Sequence, residues 1–221
     1  MNPFRMFPSL FLAVVLTAPA ALASPATTLG NNAALRYWAA FSAMQDSDIS
    51  AQDAKELNTI LAGTAPYDDS KYRTVVEKNR LALKIMARGT RLRTCDWGLD
   101  YTMGEDLPVE YARKALALGR LNVLYSFHLL ITGDKEGAAD TLAAGLRFSQ
   151  DVARGGSLFA TLAAKDLLDS HFRAIAFALH VAGLSDAQKD ELRKAAAQLG
   201  PEPLDWTSAA KRDLEGLRGR F

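Results

Sequence analysis

Residues 108–134 read PVEYARKALALGRLNVLYSFHLLITGD, and this stretch decides the fold class. Pro108 suits the first turn of a helix, where its missing N–H costs no hydrogen bond. The apolar residues that follow fall on more than one side of a helix: Tyr111, Ala115, Leu118, Leu121, Val123, Leu124, Phe127, Leu130 and Ile131. A helix that is apolar on several sides is surrounded by neighbours, so the pattern predicts the central helix of an all-α domain.

The segments on either side of this stretch also have helical patterns with clear ends. Gly133 and Asp134 form a very short turn to the next helix, which predicts two antiparallel neighbours. Asn32 and Ser185 are suited to cap two further helices, and Gln188 completes a capping box with Ser185. No alternating strand pattern competes. We predict an all-α fold of about seven to eight helices packed as antiparallel hairpins, as a bundle or a short array resembling tetratricopeptide repeats.

The first 23 residues have the three parts of a secretory signal peptide. Arg5 gives a positive start, residues 10–17 form an apolar run, and Ala21-Leu22-Ala23 offers small residues for cleavage. The apolar run is shorter than the roughly 20 residues that a membrane-spanning helix needs. We therefore predict a signal peptide at residues 1–23 and a single helical domain at residues 24–221, exported to the periplasm or secreted.

The composition excludes several classes of function. The chain has 26 Lys and Arg and 25 Asp and Glu residues, and removing the leader with Arg5 leaves 25 of each sign. A net charge near zero argues against a general nucleic-acid binder, and no later apolar stretch predicts a transmembrane helix. Cys95 is the one cysteine of an exported chain, so no disulfide can form within it.

Residues 93–101, RTCDWGLDY, form the most unusual segment, because a thiol, two carboxylates, an indole and a phenol share one non-helical stretch. In a structural interpretation, Cys95, Trp97 and Tyr101 fill the core from a loop, Asp96 and Asp100 accept backbone hydrogen bonds or cap the segment, and Gly98 supplies a positive φ. In a binding interpretation, aromatic rings beside carboxylates contact a sugar, amine or peptide. A nucleophilic Cys95 would need an adjacent base, which the local sequence does not supply. The candidate binding residues are Asp96, Trp97, Asp100 and Tyr101, with Cys95 and Gly98 as structural support.

The histidines give no support for a metal site. His128 lies in an apolar run and is predicted to be an interior histidine with satisfied hydrogen bonds, whereas His171 is predicted to lie at a helix surface. His171 and His180 are nine residues apart, which is not a spacing for two ligands on one helix face. Since no phosphate-binding or dinucleotide-binding glycine loop is present either, we predict no metal and no cofactor.

Two short motifs together resemble those of a known group of proteins. Residues 32–38 read NAALRYW, and residues 95–98 read CDWG before a long helical pair. This layout is similar to that of a group of exported bacterial all-helical proteins whose function is unassigned. The resemblance covers residue 32 to about residue 183. It implies an exported helical domain and transfers no catalytic residue.

The sequence leaves two classes of function open. We predict a binding or interaction module whose partner is a protein, a peptide or a component of the cell envelope. The alternative is a hydrolytic enzyme acting on envelope or extracellular material, with Asp96, Asp100 or Glu105 as acid and base. An enzyme predicts a concave pocket with a carboxylate of raised pKa, and a binding module predicts an apolar groove without perturbed acids.

Overall fold

The computed structural model describes residues 30–45, 51–101, 103, 109–181 and 183–218. Across these ranges the chain forms helices and no strand, with one isolated parallel bridge between Asn32 and Thr94, so the predicted all-α class is confirmed. The predicted signal peptide lies outside the described residues and stays a prediction. The helices are α1 (Ala33–Ala43), α2 (Ala51–Leu61), α3 (Asp69–Lys78), α4 (Arg80–Gly89), α5 (Glu110–Thr132), α6 (Lys135–Ala153), α7 (Leu158–Val181), α8 (Asp186–Gln198) and α9 (Trp206–Arg218).

Helix α5 is the central helix, as its apolar pattern predicts. It packs against α1, α3, α4, α6 and α7, and Tyr111, Leu118 and Leu121 are fully buried. Gly119 lets α7 approach closely, because a methyl group at this position would collide with the side chain of Leu167. Each large side chain buried in this way contributes about 1.5–3 kcal/mol to folding, so α5 organises the domain.

Helix α5 is also long and apolar enough, by length and composition alone, to cross a membrane. More than half of its most apolar stretch is buried inside the protein, which is the usual position of a central helix in a soluble bundle. The prediction that the mature chain has no transmembrane helix therefore stays a prediction.

The helix ends follow the capping chemistry of the sequence. Asn32 Oδ1 accepts from Ala34 N at 3.1 Å, and Asp134 Oδ1 accepts from Gly137 N at 2.8 Å. Ser185 and Gln188 form both bonds of a capping box. These bonds satisfy N–H groups that the first turn of a helix leaves without partners. Between α5 and α6, Gly133 has a φ of +87°, a conformation that a residue without Cβ adopts without strain.

The apolar spacing from Tyr72 to Met86 predicts one helix that follows the loop at residues 66–70 and ends at Gly89, but Asn79 divides this helix in two. This side chain is fully buried, and its Nδ2 donates to Gln45 O at 2.7 Å and to Val75 O at 2.8 Å. Its Oδ1 accepts from Gln45 N at 2.8 Å. A side chain that bonds the backbone in this way competes with helix continuation, so α3 ends and α4 begins here. The same bonds tie the segment after α1 to the α3–α4 junction.

The buried apolar residues form two clusters. One cluster joins α1, α4 and the first half of α5 to the loop residue Trp97. The other joins α2, α3 and α8 to the second half of α5 and the first half of α6. Helices α5, α6 and α7 contribute to both clusters, which makes the domain one continuous body.

His171 is fully buried in α7, so its predicted surface position is wrong. Nδ1 lies 2.7 Å from Leu167 O and 3.2 Å from Ser149 Oγ, and Nε2 lies 3.0 Å from the Asn122 side-chain amide. Burial lowers the pKa of His171 to about 4, so the ring is neutral at neutral pH. The contact of Nε2 is with the side-chain oxygen of Asn122, so the ring is held by Asn122 of α5 and by Ser149 of α6. Gly145 leaves the room for this contact.

We expect Asn79→Ala to destabilise the fold by roughly 2 kcal/mol, because three buried hydrogen bonds are lost together. Urea denaturation followed by circular dichroism measures the free energy of unfolding. The matched control is Asn58→Ala at an exposed position on α2, which should change that free energy by about 0.5 kcal/mol or less. Equal losses in the two variants would contradict the role given to Asn79.

We expect the His171 ring to stay neutral in the folded protein until the pH approaches 4. The unfolded chain binds this proton near its ordinary pKa of about 6.5. The free energy of unfolding should therefore fall as the pH is lowered between these two values, by about 3 kcal/mol in all. The Cε1–H chemical shift of His171 against pH tests the first statement. A His171→Gln variant that folds should lose less stability over the same acid range.

Candidate functional site

The segment with the Cys-Asp-Trp-Gly sequence lies across the start of α1 and is bonded to it through the backbone. Ala33 N donates to Thr94 O at 2.8 Å, and Thr94 Oγ1 donates to Asn31 O at 2.6 Å. Asn32 bonds both backbone groups of Asp96, because its Nδ2 donates to the carbonyl at 2.7 Å and its Oδ1 accepts from the amide at 2.9 Å. The two motifs that the sequence analysis paired, residues 32–38 and 95–98, are therefore in contact.

Trp97 fills the core beneath this segment. Its side chain is 6% exposed, and its ring stacks on Tyr111 at a centroid distance of 4.2 Å. Tyr37 and Phe41 of α1 stack on it at 5.8 Å and 6.1 Å. A ring held between three aromatic neighbours cannot also offer its face to a ligand, so Trp97 acts in packing.

Asp151 of α6 is the group on which these elements converge, and its carboxyl is fully buried. Tyr37 donates its hydroxyl to Asp151 Oδ2 at 2.7 Å. The backbone carbonyl of Asp151 accepts from Trp97 Nε1 at 2.9 Å and from the Cys95 thiol at 3.6 Å. One residue of α6 therefore holds α1 and the Cys-Asp-Trp-Gly segment together.

Gly98 and Tyr101 shape the outer part of the segment. Gly98 has a φ of +64°, as predicted, and its N–H donates to Asp96 Oδ1 at 2.9 Å. The Tyr101 hydroxyl donates to Gly155 O at 2.7 Å, and its half-exposed ring faces the Arg212 guanidinium at 5.1 Å. This side chain therefore joins the segment to the α6–α7 turn and to α9.

The candidate binding residues are separated by the fold. Trp97 lies in the core, whereas Asp96, Asp100 and Tyr101 have exposed surface. Their role in binding stays a prediction, and Trp97 and Cys95 are placed where the structural interpretation expects them. Glu105 lies outside the described residues.

A groove of about 820 Å³ is lined at one end by Arg147 and Arg154, the two arginines next to Asp151. Its walls are the end of α4 with residues 90–93, the facing side of α6, and the exposed side of α8. Small residues of α6 and α8 form part of the floor: Gly137, Ala143, Ala144 and Ala195. The remaining lining is mainly charged, so this is a polar groove and not the apolar groove expected of a binding module.

Four arginines line one end of the groove, where Arg147 and Arg154 of α6 stand over Asp151. The Nε atom of each lies 3.4 Å from Asp151 Oδ1. Arg91 and Arg93 lie at the same end because their neighbours in sequence contact the Asp151 region. Cys95, two residues after Arg93, contacts Asp151, and Gly89, two residues before Arg91, packs on Tyr37. We call these four residues, Arg91, Arg93, Arg147 and Arg154, the arginine end.

Acidic residues line the opposite end. Asp134 and Asp140 lie near the start of α6, and Glu191 lies in the first half of α8. Asp140 precedes Arg147 by seven residues, which separates them by about 10 Å along the helix axis. The groove therefore has opposite charges at its two ends.

Burial raises the pKa of the Asp151 carboxyl, and this effect outweighs the opposing effects of Tyr37, Arg147 and Arg154. Burial likewise raises the pKa of the Cys95 thiol, and nearby Asp151 adds to the shift. A thiol held in its neutral form is a poor nucleophile, which argues against catalysis by Cys95. An acid of raised pKa was the expectation for an enzyme, and Asp151, which the sequence analysis did not single out, is such an acid.

His128 forms a separate buried polar cluster, as predicted for an interior histidine. Its Nδ1 lies 2.8 Å from Asp69 Oδ1, and Arg73 donates to Asp69 Oδ2 at 2.6 Å. Although burial opposes ionisation, His128 and Arg73 hold the pKa of the Asp69 carboxyl below its usual range. The cluster joins α3 to α5. Among the described residues no group of three His, Cys, Asp or Glu side chains is arranged to hold a metal ion.

This chain matches no protein-family profile, no curated protein and no solved structure. The resemblance to the exported helical group therefore stays an expectation. The function must be argued from the groove and from the residues around it.

Sequence reasoning missed Asp151, Arg147 and Arg154, although a signal was present. The three residues are spaced i, i+4 and i+7, which places them on one face of α6. In a sequence, interspersed charges of this kind are typical of a solvated helix surface. An acid between two arginines on one helix face is also compatible with a buried ion pair. Asp151 is buried because α1 and the Cys-Asp-Trp-Gly segment cover it, and these are distant from it in sequence.

We expect Cys95 to react slowly with a coloured thiol reagent in the folded protein and fully after denaturation. Its thiol is neutral, partly buried and bonded to a carbonyl, and thiolates are the reactive form. The measurement is the absorbance of the released chromophore with and without denaturant. An Ala39→Cys variant adds a thiol at an exposed position of α1 and should react at once. Fast reaction of Cys95 in the native protein would contradict its place in the core.

Proposed function

We propose that this chain is an exported binding module that holds an extended peptide segment of a partner protein in the groove between α4, α6 and α8. The observation that carries this proposal is the separation of charge along the groove, with the arginine end opposite Asp134, Asp140 and Glu191. A polar groove with two signs of charge suits a ligand that carries both signs. Such a ligand is recognised at two places, which also sets its direction.

The dimensions support a peptide. The roughly 10 Å between Asp140 and Arg147 corresponds to about three residues of extended chain, each about 3.3 Å long. The groove volume of about 820 Å³ is within the range of known ligand sites. A peptide with opposite charges about three to six residues apart would therefore reach both ends at once.

The floor of the groove also supports a peptide. Ala144 and Ala195 have small side chains, so the backbone of a ligand can approach α6 and α8 closely. Close approach allows the ligand backbone to bond polar side chains such as Thr141 and Gln198 along the walls. Larger side chains on the floor would block this contact.

Binding has better support than the enzymatic alternative. Asp151 has the raised pKa that an acid catalyst needs, but the carboxyl is fully buried and Tyr37 occupies one of its oxygens. A general acid must come within hydrogen-bond distance of its substrate. Asp96, the exposed acid of the alternative, already accepts the Gly98 N–H and lies outside the groove lining.

Fluorescence anisotropy with labelled hexapeptides, whose two end residues are about five positions apart, tests the proposed function. Two peptides share an Ala/Ser interior, one with Lys at the amino end and Asp at the carboxyl end, and the other with this order reversed. A third peptide has the same length and no charged side chain. We expect one charged peptide to bind more tightly than the uncharged one, because it pairs with both ends of the groove. Failure of both charged peptides to bind better than the uncharged one would overturn the proposal.

A groove-filling variant locates the binding. We expect Ala144→Phe to weaken binding of the preferred peptide by roughly tenfold or more, about 1.4 kcal/mol, because the ring occupies the floor. Ala176→Phe places the same side chain at an exposed position of α7 that does not line the groove, and it should bind as the parent does. Circular dichroism of both variants confirms that the fold is kept.

A further inference from the structure

The arginine end carries more positive charge than its surroundings neutralise. Arg91 and Arg93 are exposed, and in the part of the chain that the structure describes neither has an ion-pair partner. Arg147 and Arg154 share a single carboxylate, that of Asp151. Four guanidinium groups therefore meet at most one negative charge at this end of the groove.

One carboxylate oxygen of Asp151 has no hydrogen-bond donor. Its Oδ1 is buried and accepts no hydrogen bond, although the Nε atoms of Arg147 and Arg154 lie 3.4 Å away. Arg147 Nε is likewise buried without an acceptor. Buried polar atoms without partners are uncommon in folded proteins and call for an explanation. Arg147 and Arg154 also line the groove, so a ligand that binds there can reorganise their guanidinium groups.

We propose that the arginine end is a carboxylate-binding site that takes the acidic group of the groove's ligand. The inference rests on the proposed function and deepens it, because it assigns the chemistry that one end of the groove recognises. The guanidinium fork matches the two oxygens of a carboxylate, and each charge-assisted bond is stronger than a neutral one. Arg91 and Arg93 are the primary contacts, since no described residue engages them.

The carboxylate of a peptide comes from one of two sources, an Asp or Glu side chain or the free carboxyl terminus. Both present the same planar anion, so the arginine end takes either group by its charge and shape. Two peptides separate the sources. One carries two Asp side chains and an amidated carboxyl terminus, and the other has no acidic side chain and a free carboxyl terminus.

The first test uses succinate, a small dicarboxylate, so that it does not depend on peptide binding. We expect succinate to shift the Nε–Hε NMR signals of the arginine end, and high salt to reverse the shift by screening. The double variant Arg91→Gln/Arg93→Gln should lose succinate binding by roughly tenfold or more. Its control is Arg36→Gln/Arg88→Gln, which removes the same charge from exposed positions outside the groove lining and should bind as the parent does.

The same variants are then measured with the two peptides. Weaker binding of at least one acidic peptide to Arg91→Gln/Arg93→Gln, with normal binding to the control, supports the site and identifies the carboxylate source. If Ala144→Phe abolishes peptide binding but Arg91→Gln/Arg93→Gln does not weaken it, the groove binds peptides and the carboxylate site is overturned. If succinate binds at the arginine end and no peptide does, the site stands and the proposed function is overturned. Absence of both succinate and peptide binding overturns both.

Discussion

The rest of the structure depends on the buried carboxyl of Asp151. A carboxyl without water must find hydrogen bonds inside the protein, and a failure to do so would cost several kcal/mol. The Tyr37 hydroxyl of α1 donates one hydrogen bond to the carboxyl. The backbone carbonyl of Asp151 accepts hydrogen bonds from the indole N–H of Trp97 and from the thiol of Cys95. Burying this one residue of α6 therefore requires α1 and the Cys-Asp-Trp-Gly segment to meet above it.

The same residue connects the core to the groove. On its inner side Asp151 faces Tyr37, and on its outer side it stands below Arg147 and Arg154. Its single carboxyl offsets at most one of the four guanidinium charges of the arginine end. A residue that organises the fold thereby also leaves the arginine end positive. The Cys-Asp-Trp-Gly segment contributes to the site indirectly. It covers Asp151 from the core side, and Arg147 and Arg154 lie beside the carboxyl of Asp151.

Local chemistry in the sequence was sufficient for the helices and many of their ends. The apolar pattern of α5 predicted its central place, and the caps predicted at Asn32 and Ser185 are the observed ones. These features depend on residues within a few positions of each other. The break at Asn79 was missed because its partner Gln45 lies 34 residues away, beyond any local pattern. The burial of His171 was missed because Asn122 and Ser149, which bond it, belong to other helices.

The sequence by itself determined an all-α chain, the central helix and the capping chemistry, because helical periodicity and caps are properties of neighbouring residues. Tertiary structure alone decided which charges are buried and which line the groove. In the sequence Arg91 is an ordinary loop charge, and Arg147 and Glu191 are ordinary helix-surface charges. They form a site because the end of α4, α6 and α8 meet around one space. The sequence allowed Trp97 to be an exposed contact, and its four aromatic neighbours from two helices make it part of the core. Burial is a property of the assembled chain, since each side chain is covered by residues far from it in sequence.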